Sequence, residues 1–597
     1  MRLYKMVIAA LVCGGAVGSA TGYGAEKAAM QGMAAASQQV EFDVYLPLEH
    51  RAQLDTLLTQ LQDVGSGNYH KWLKPEQFNA RFGASPEKAA AVLHELNAFG
   101  LKTQVISPQR IHVSGDARAV EQAFLTRLQV GTFKNGQKTV AAVGGVSMPS
   151  AMASSDAVVL GLSGFIRLHK HSLKAAAGAV PQNRYSNVGP YWFDDLKQAY
   201  SYPSFKAYTG KGVTIGILMS GGYNPSDMDL YFGHEKLATP HISEVDIAGG
   251  SPFDPNNSFE THLDLQQTGG MAPNAHLVLY NLPDLSDSNV IAGLVTIVES
   301  NVADVVNMSF GGPEIGYLPS YNGGVDGTGI LGVYDDIFKQ GNAQGITFVA
   351  SSGDLGALSV PAIACFDPDA KAGCGGFELS AETPATSPHV TGVGGTNLVT
   401  TMSTGSLDSK YVSEAAFGDP LAEDIFYGTP ASGGFWGSGG GDSIYYKKPL
   451  FQLLSNTGSK YRTVPDVSLH MGGCPQGAVE PCGTDRSADV AVIAGGLYGV
   501  IGTSASAPDF AGLTALKIER QGSRLGNENY DIYGLAVLQQ VGLPLKIFDM
   551  DIKGYNGFYS TKRGYNRVLG NGTLNGVNFL LAPRTAVAGT PQTPSNP

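Results

Sequence analysis

An α/β unit built on a parallel sheet flanked by helices, preceded by a smaller α+β unit, is the fold class this sequence predicts. Three observations predict it. Beyond about residue 210, short continuous apolar runs alternate with helical stretches, the pattern of parallel strands buried on both faces. The amino-terminal third shows strand-like alternation followed by apolar residues at helical spacing. Between them, from about Arg167 to Pro190, the sequence loosens into basic and small residues. At 597 residues the chain exceeds what one hydrophobic core supports.

Met1 to about Ala25 reads as an export signal: Arg2 and Lys5 open it, and an apolar run from Met6 to Val17 follows, too short for a membrane anchor. No later stretch is expected to span a bilayer. Residues 38–166 are expected to form the α+β unit. Val40 to Leu46 alternates as a strand, and Leu54, Leu57, Leu58 and Leu61 lie on one helical face. A second helix is expected from Pro86 to Phe99, strands at Lys102–Ile106 and Arg110–Val113, and a helix from Ala117 to Leu128. Residues 167–190 read as an exposed linker, open to proteolytic nicking. Residues 191–582 are the α/β unit. Its strands are expected at Val213–Leu218, His276–Leu282, Asp304–Phe310 and Ile346–Ser351, with helices at Ser288–Ser300 and Ile330–Gln340. Residues 583–597 read as a flexible tail.

With 43% hydrophobic and 15% charged residues the chain is globular in composition. A net charge of −12 argues against nucleic acid or an anionic membrane as partner. Once the signal carrying Cys13 is removed, Cys365, Cys374, Cys474 and Cys482 remain. Two close pairs in an exported chain suggest disulfides Cys365–Cys374 and Cys474–Cys482. Zinc is disfavoured, since neither pair has CxxC spacing and no histidine pattern completes four ligands.

Ser504 lies in Gly502-Thr503-Ser504-Ala505-Ser506-Ala507-Pro508, a turn entering a helix expected over Ala505–Arg520. Backbone N–H groups and the helix dipole there face a reacting oxygen. A serine hydroxyl needs a base to be a nucleophile, yet none of the 12 histidines is followed by glycine, as the His-Gly-Thr segment of subtilisin-like proteases would require. Phe259-Glu260-Thr261-His262-Leu263-Asp264 supplies carboxylates instead. Glu260 and Asp264, four residues apart, share a helix face on which both cannot ionise easily, whereas His262 points away. Glu260 can then serve as base to Ser504 while Asp264 holds it. Asp354, in Ser352-Gly353-Asp354, can donate a hydrogen bond to an oxyanion while it stays protonated, which points to acid operation. The bland readings are a helix cap, a solvated helix face and a turn aspartate.

Taken together and in order, these motifs, with Ser438-Gly439-Gly440-Gly441 and Pro465-Asp466-Val467-Ser468, resemble the sedolisins, serine-carboxyl peptidases of subtilisin-like fold. The resemblance implies Ser504 as nucleophile, Glu260 as base, Asp264 as its partner and Asp354 as oxyanion donor. It implies that Ser309, Phe310 and Gly311 pair with substrate backbone. Tyr69 to Phe78, with Arg81-Phe82-Gly83, resembles the activation propeptide of the pro-kumamolisin type, a ferredoxin-like domain that would aid folding, block the cleft and be cut away in acid near 167–190. One calcium ion is implied near the carboxyl terminus, on Asp551, Ile552, Lys562, Gly564 and Asn566, with Asn566 standing where aspartate is expected. Some members carry a further glutamate in the first strand of the catalytic domain, where this sequence has Leu218. The resemblance thus implies a secreted, self-processing monomer acting on proteins or peptides. Tripeptidyl release from free amino termini and a non-catalytic secreted binding protein are the alternatives.

Overall fold

The first unit is ferredoxin-like because its strands pair in the order Lys102–Val105, Arg110–Asp116, Gln39–Tyr45, Val158–Leu160, all antiparallel. Period-two alternation sets which face is buried: Val40, Phe42 and Val44 join Ile111 and Val113 under the helices Pro86–Ala98 and Ala117–Phe124. The helix expected to reach Leu128 stops at Phe124. Leu125 turns left-handed at φ 46°, and the strand Arg127–Thr132 begins two residues later. The computed structural model describes residues 28–584 except 134–135, 163–167, 175–188, 323, 362–376, 402–408, 419–435 and 474–486. The expected signal, most of the expected tail and all four remaining cysteines lie outside the described residues.

The second unit is a doubly wound sheet. From one edge its parallel strands run Ile242–Asp246, His276–Leu282, Thr214–Ser220, Val305–Met308, Thr347–Ser351, Val390–Thr400 and Val467–His470. Its order reverses about the Thr214–Ser220 strand, and in such sheets ligands bind beyond the carboxyl ends of the strands. Leu277, Ile217, Val306 and Val349 are fully buried, as runs covered by helices on both faces must be. Asp287–Ser300 and Thr328–Ala343 form as helices. Two more, Phe259–Met271 and Thr503–Gln521, are buried almost all round. Gly512 lets them close on each other, since a Cβ there would lie 2.3 Å from Met271 Cβ. That contact sets the distance between the acids of one helix and the serine of the other.

The first unit docks on the second through the helices Arg51–Gln62 and Pro75–Phe82, whose leucines and phenylalanines share a core with Ala343. Arg51 pairs with Asp336 at 2.5 Å, and Leu73 N–H donates to the Ala343 carbonyl at 2.9 Å. No helix among the described residues is long and apolar enough to cross a membrane.

Candidate active site

Glu260 and Asp264 project from successive turns of the Phe259–Met271 helix, and both are inaccessible to water. Asp264 Oδ1 accepts a 2.5 Å hydrogen bond from Ser309 Oγ, which accepts one of 2.9 Å from Asn307. Ser309 follows the Val305–Met308 strand, so the carboxyl end of that strand fixes the orientation of Asp264. Glu260 Oε1 and Asp264 Oδ2 have no hydrogen-bond partner. A proton on one of the two acids relieves the repulsion between them. The energetics agree: burial pushes the Glu260 carboxyl up to about 7, and burial together with the Glu260 charge holds Asp264 well above the carboxylate range.

Ser504 is the second residue of its helix and is fully buried. Its Oγ donates to the Ser309 carbonyl at 3.2 Å, and it lies near enough to Glu260 for the hydroxyl to lower that acid's pKa. Asp354 follows the Thr347–Ser351 strand. Its Oδ1 accepts from both Thr503 N–H and Thr503 Oγ at 2.7 Å, and its Oδ2 is buried without a partner. Burial raises the Asp354 carboxyl to about 8, against the opposing pull of the His171 charge and the Thr503 hydrogen bonds. Asp354 therefore carries a proton at neutral and acid pH, beside the amino end of the Ser504 helix. Gly502 sits between them at φ 133°, and a side chain there would collide with Asp354 Oδ2 at 2.6 Å.

His262 is outside this chemistry. Its Nε2 accepts from Asn224 N–H at 3.1 Å and its Nδ1 faces the Val492 carbonyl at 2.9 Å, so both ring nitrogens are committed to backbone. Leu218 is a fully buried residue of the hydrophobic core.

The largest departure from the sequence reading concerns the expected exposed linker. Residues 168–174 lie in the cleft. His169–Lys170 pairs antiparallel with Phe310 and Gly311, and Leu173–Lys174 with Val500 and Ile501. His171 N–H donates to the Ser309 carbonyl at 3.3 Å, so Ser309, Phe310 and Gly311 do hold extended backbone. Ser504 N–H donates to the His171 carbonyl at 3.1 Å, and Ser172 Oγ donates to Glu260 Oε2. Lys170 Nζ donates to the carbonyls of Ser220 (2.9 Å) and Asn257, and its charge lowers the pKa of both Glu260 and Asp264. The His171 imidazole reaches Glu382 Oε2 at 2.7 Å and Ser351 Oγ at 2.6 Å. Burial opposes charge on both partners, but their mutual attraction raises the His171 pKa and lowers that of Glu382. His169, His171 and Glu382 bring three possible ligand atoms within 4.8 Å of one another, and His171 and Glu382 are hydrogen-bonded to each other at 2.7 Å. Sequence reasoning missed Lys170, His171, Ser172 and Glu382. The available signal was the basic Lys170-His171 stretch in an otherwise acidic chain, whose natural counterpart is a cluster of buried acids.

The five residues expected to hold calcium do not form a calcium cage. Asn566 Nδ2 donates to the carbonyls of Lys562 (3.2 Å) and Gly564 (3.3 Å), the oxygens an ion would take. Its Oδ1 accepts from Val568 and Leu569 N–H, which fixes the amide's orientation. Asp551 is 61% exposed and faces Lys553, and Ile552 is buried against Val568 and Leu569. An N–H donor where a hard cation needs lone pairs is the wrong chemistry for calcium.

Residues 26–165 match the family described as Pro-kumamolisin, activation domain, and residues 246–540 match the Subtilase family. Sedolisin of Pseudomonas sp. (strain 101) is 28% identical over 561 residues, covering 91% of this chain and 86% of that protein. Kumamolisin of Bacillus sp. (strain MN-32) is 27% identical, covering 85% of each. A tripeptidyl-peptidase of Arthroderma otae is 23% identical over 80% of this chain and 78% of its own length. Among solved structures, Pseudomonas sedolisin, a serine-carboxyl proteinase complexed with two molecules of pseudo-iodotyrostatin, matches at 26% identity with TM-score 0.52, covering 68% of this chain and 98% of that one.

Proposed function

The chain belongs to the sedolisin family of serine-carboxyl peptidases, and we propose that it is an exported, monomeric, acid-acting endopeptidase made as a self-processing proenzyme. One observation carries this reading: the Glu260/Asp264 pair, Ser504 and Asp354 are all buried around the turn that opens the Ser504 helix, where Ser504 N–H holds the backbone carbonyl of His171. Glu260, in its carboxylate form, takes the Ser504 proton as Oγ adds to a substrate carbonyl carbon; cleavage therefore needs the fraction in which this buried acid has given up its proton. Asp264, oriented by Ser309, holds and tunes the Glu260 carboxyl through its proximity. The developing oxyanion is met by Ser504 N–H and by the protonated Asp354 carboxyl. Glu260 then returns the proton to the leaving nitrogen, and water releases the acyl group. Ser309, Phe310 and Gly311 hold the substrate backbone as they hold residues 169–171.

Endopeptidase action is favoured over tripeptidyl release because the chain in the cleft runs on both sides of Ser504, from Leu168 to Lys174, with more than three residues before the carbonyl that Ser504 holds. The test is direct. Ser504→Ala and Glu260→Ala should each abolish self-processing and casein hydrolysis at about pH 3–5, a loss on the order of 10³-fold or more. Normal turnover by either variant removes the reading. Capped and uncapped peptides separate endo- from tripeptidyl-peptidase action.

A further inference from the structure

We propose that His169 and His171 of the cleft-filling segment form a zinc-binding site with Glu382 of the α/β unit, and that zinc bound there fastens the segment in the cleft. Its consequence, a longer-lived latent chain, rests on the peptidase reading above. Three ligand atoms, one from each residue, lie within 4.8 Å of one another. They reach that point from two sides of one strand. His169–Lys170 pairs with Phe310 and Gly311, while Glu382–Thr383 pairs with Gly312 and Pro313 on the other side. His169 and His171, two residues apart on extended backbone, send their rings to the same side, with centroids 5.0 Å apart. The central strand gives them room, since a Cβ on Gly311 would lie 2.9 Å from His171 Nε2.

The spacing suits a tetrahedral ion. Zinc bonds of about 2.0–2.1 Å set neighbouring ligand atoms about 3.3 Å apart. Glu382 Oε2 stands 2.7 Å from His171 Nε2 and 3.7 Å from His169 Nε2, so the two separations bracket that value. An ion seated there takes the place of the proton between His171 and Glu382. Two imidazoles and one carboxylate are a donor set for zinc, whereas calcium and magnesium prefer oxygen alone.

His169 is the residue that calls for an ion. Both its ring nitrogens are shielded from water and neither has a hydrogen-bond partner, a cost that a metal bond would remove. Its side chain is 18% exposed, which puts the cluster within reach of solvent. His171 is already held as a ligand is. Its Nδ1 meets Ser351 Oγ at 2.6 Å, which fixes the ring with Nε2 toward Glu382. Because two ligands belong to the segment and the third to the α/β unit, a bound ion ties one to the other.

Full-length Ser504→Ala protein, stripped of metal and kept at neutral pH, would be titrated with zinc chloride by calorimetry and with cobalt chloride by visible absorption. The expected result is one ion at this site. His169→Ala and Glu382→Gln, each checked for folding by circular dichroism, should weaken zinc binding at least about tenfold and change the cobalt spectrum. Saturating zinc should also slow tryptic cutting after Lys170, read by mass spectrometry, at least about tenfold, and His169→Ala should remove most of that protection. No zinc binding, binding unmoved in both folded variants, or tryptic cutting that ignores zinc overturns the proposal. None of these readouts needs catalysis. With Ser504 intact, zinc should delay the onset of casein hydrolysis; if no hydrolysis depends on Ser504, the peptidase reading falls and the zinc site stands on its own titration.

Discussion

Asp43 in the amino-terminal unit and Glu260 in the α/β unit are both carboxylates withdrawn from water, but their neighbours differ in kind. Asp43 receives the Arg110 guanidinium through two nitrogens, at 2.9 and 3.2 Å, with the His112 ring at 3.0 Å on its other oxygen. Its charge is matched by a cation, which makes it a strut between two strands. Glu260 receives a serine hydroxyl on one oxygen and nothing on the other. With hydroxyl partners in place of a bonded cation, burial is relieved by taking up a proton. The same distinction sets Asp354, bonded to Thr503, apart from Glu382, bonded to His171. The first kind of partner leaves an acid poised to exchange protons; the second fixes it in place.

The sharpest way to break this comparison is at Asp354. Asp354→Ala should lower kcat by about 10²–10³-fold, the usual effect of losing one oxyanion donor. Asp354→Asn keeps an N–H donor and should lose less. The donor role exists only while the carboxyl is protonated, so wild-type activity should fall as pH rises through its pKa, held by burial at about 8 in the closed form. Removing residues 168–174 hydrates the site, so that limb should move to lower pH in the processed enzyme. Asparagine cannot ionise, and a pH profile of Asp354→Asn that kept the same alkaline limb would assign it to another group.

Next in size is stability against pH. Burial raises Asp287 to about 6, Glu260 and Glu314 to about 7 and Asp354 to about 8 in the folded chain. Folded values above the unfolded ones mean that the native state binds more protons. Stability is then full below the unfolded pKa values, near 4, and is lost as pH rises through the folded ones. Buried histidines and lysines with lowered pKa act in the opposite sense, so one acid is isolated by substitution: in the full-length Ser504→Ala protein, Glu314→Gln should reduce the loss of melting temperature between pH 5 and pH 8 by a few degrees. An unchanged loss would mean that Glu314 does not hold its proton in the fold.

The paired acid should answer oppositely to the proton-holding one. In full-length Ser504→Ala protein at pH 8, Asp43→Asn should destabilise by about 1–2 kcal/mol, since it leaves the mostly buried Arg110 without its counter-charge. Glu260→Gln should be neutral or stabilising there, because it removes a charge that burial penalises. Denaturant melts read both, and equal signs would erase the distinction. Smallest of all is the effect of calcium. Chelator should change melting of the processed enzyme by less than about 1 °C, whereas Asn566→Asp, which trades the amide donor for a charged acceptor, should make melting respond to added calcium. A large chelator effect on the natural processed enzyme would show that the Asn566 amide does not replace an ion.

Much of the site was legible because its residues sit in short local patterns. The i, i+4 spacing of Glu260 and Asp264 needs only a helix to place them together, and Gly502-Thr503-Ser504 needs only a turn into one. The parallel strands were legible from unbroken apolar runs, and His276–Leu282 formed over the expected residues. Residues 168–174 were misread for a physical reason. A basic, small-residue stretch looks solvated when its acidic counterparts, Glu260, Asp264 and Glu382, lie roughly 90 to 210 residues away in sequence, and only folding brings them alongside. The calcium expectation turned on a single amide whose hydrogen bonds depend on loop geometry.

The sequence by itself determined the kinds of groups available to this protein: a serine at a helix start, acids on one helix face, and no histidine in a base motif. These follow from local geometry, which a few neighbouring residues dictate. Only the tertiary structure decided which acids hold protons, which backbone carbonyl meets Ser504, and that a segment of the chain itself fills the cleft. Each of these depends on desolvation and on contacts between residues far apart in the chain, and both exist only once the core has closed around them.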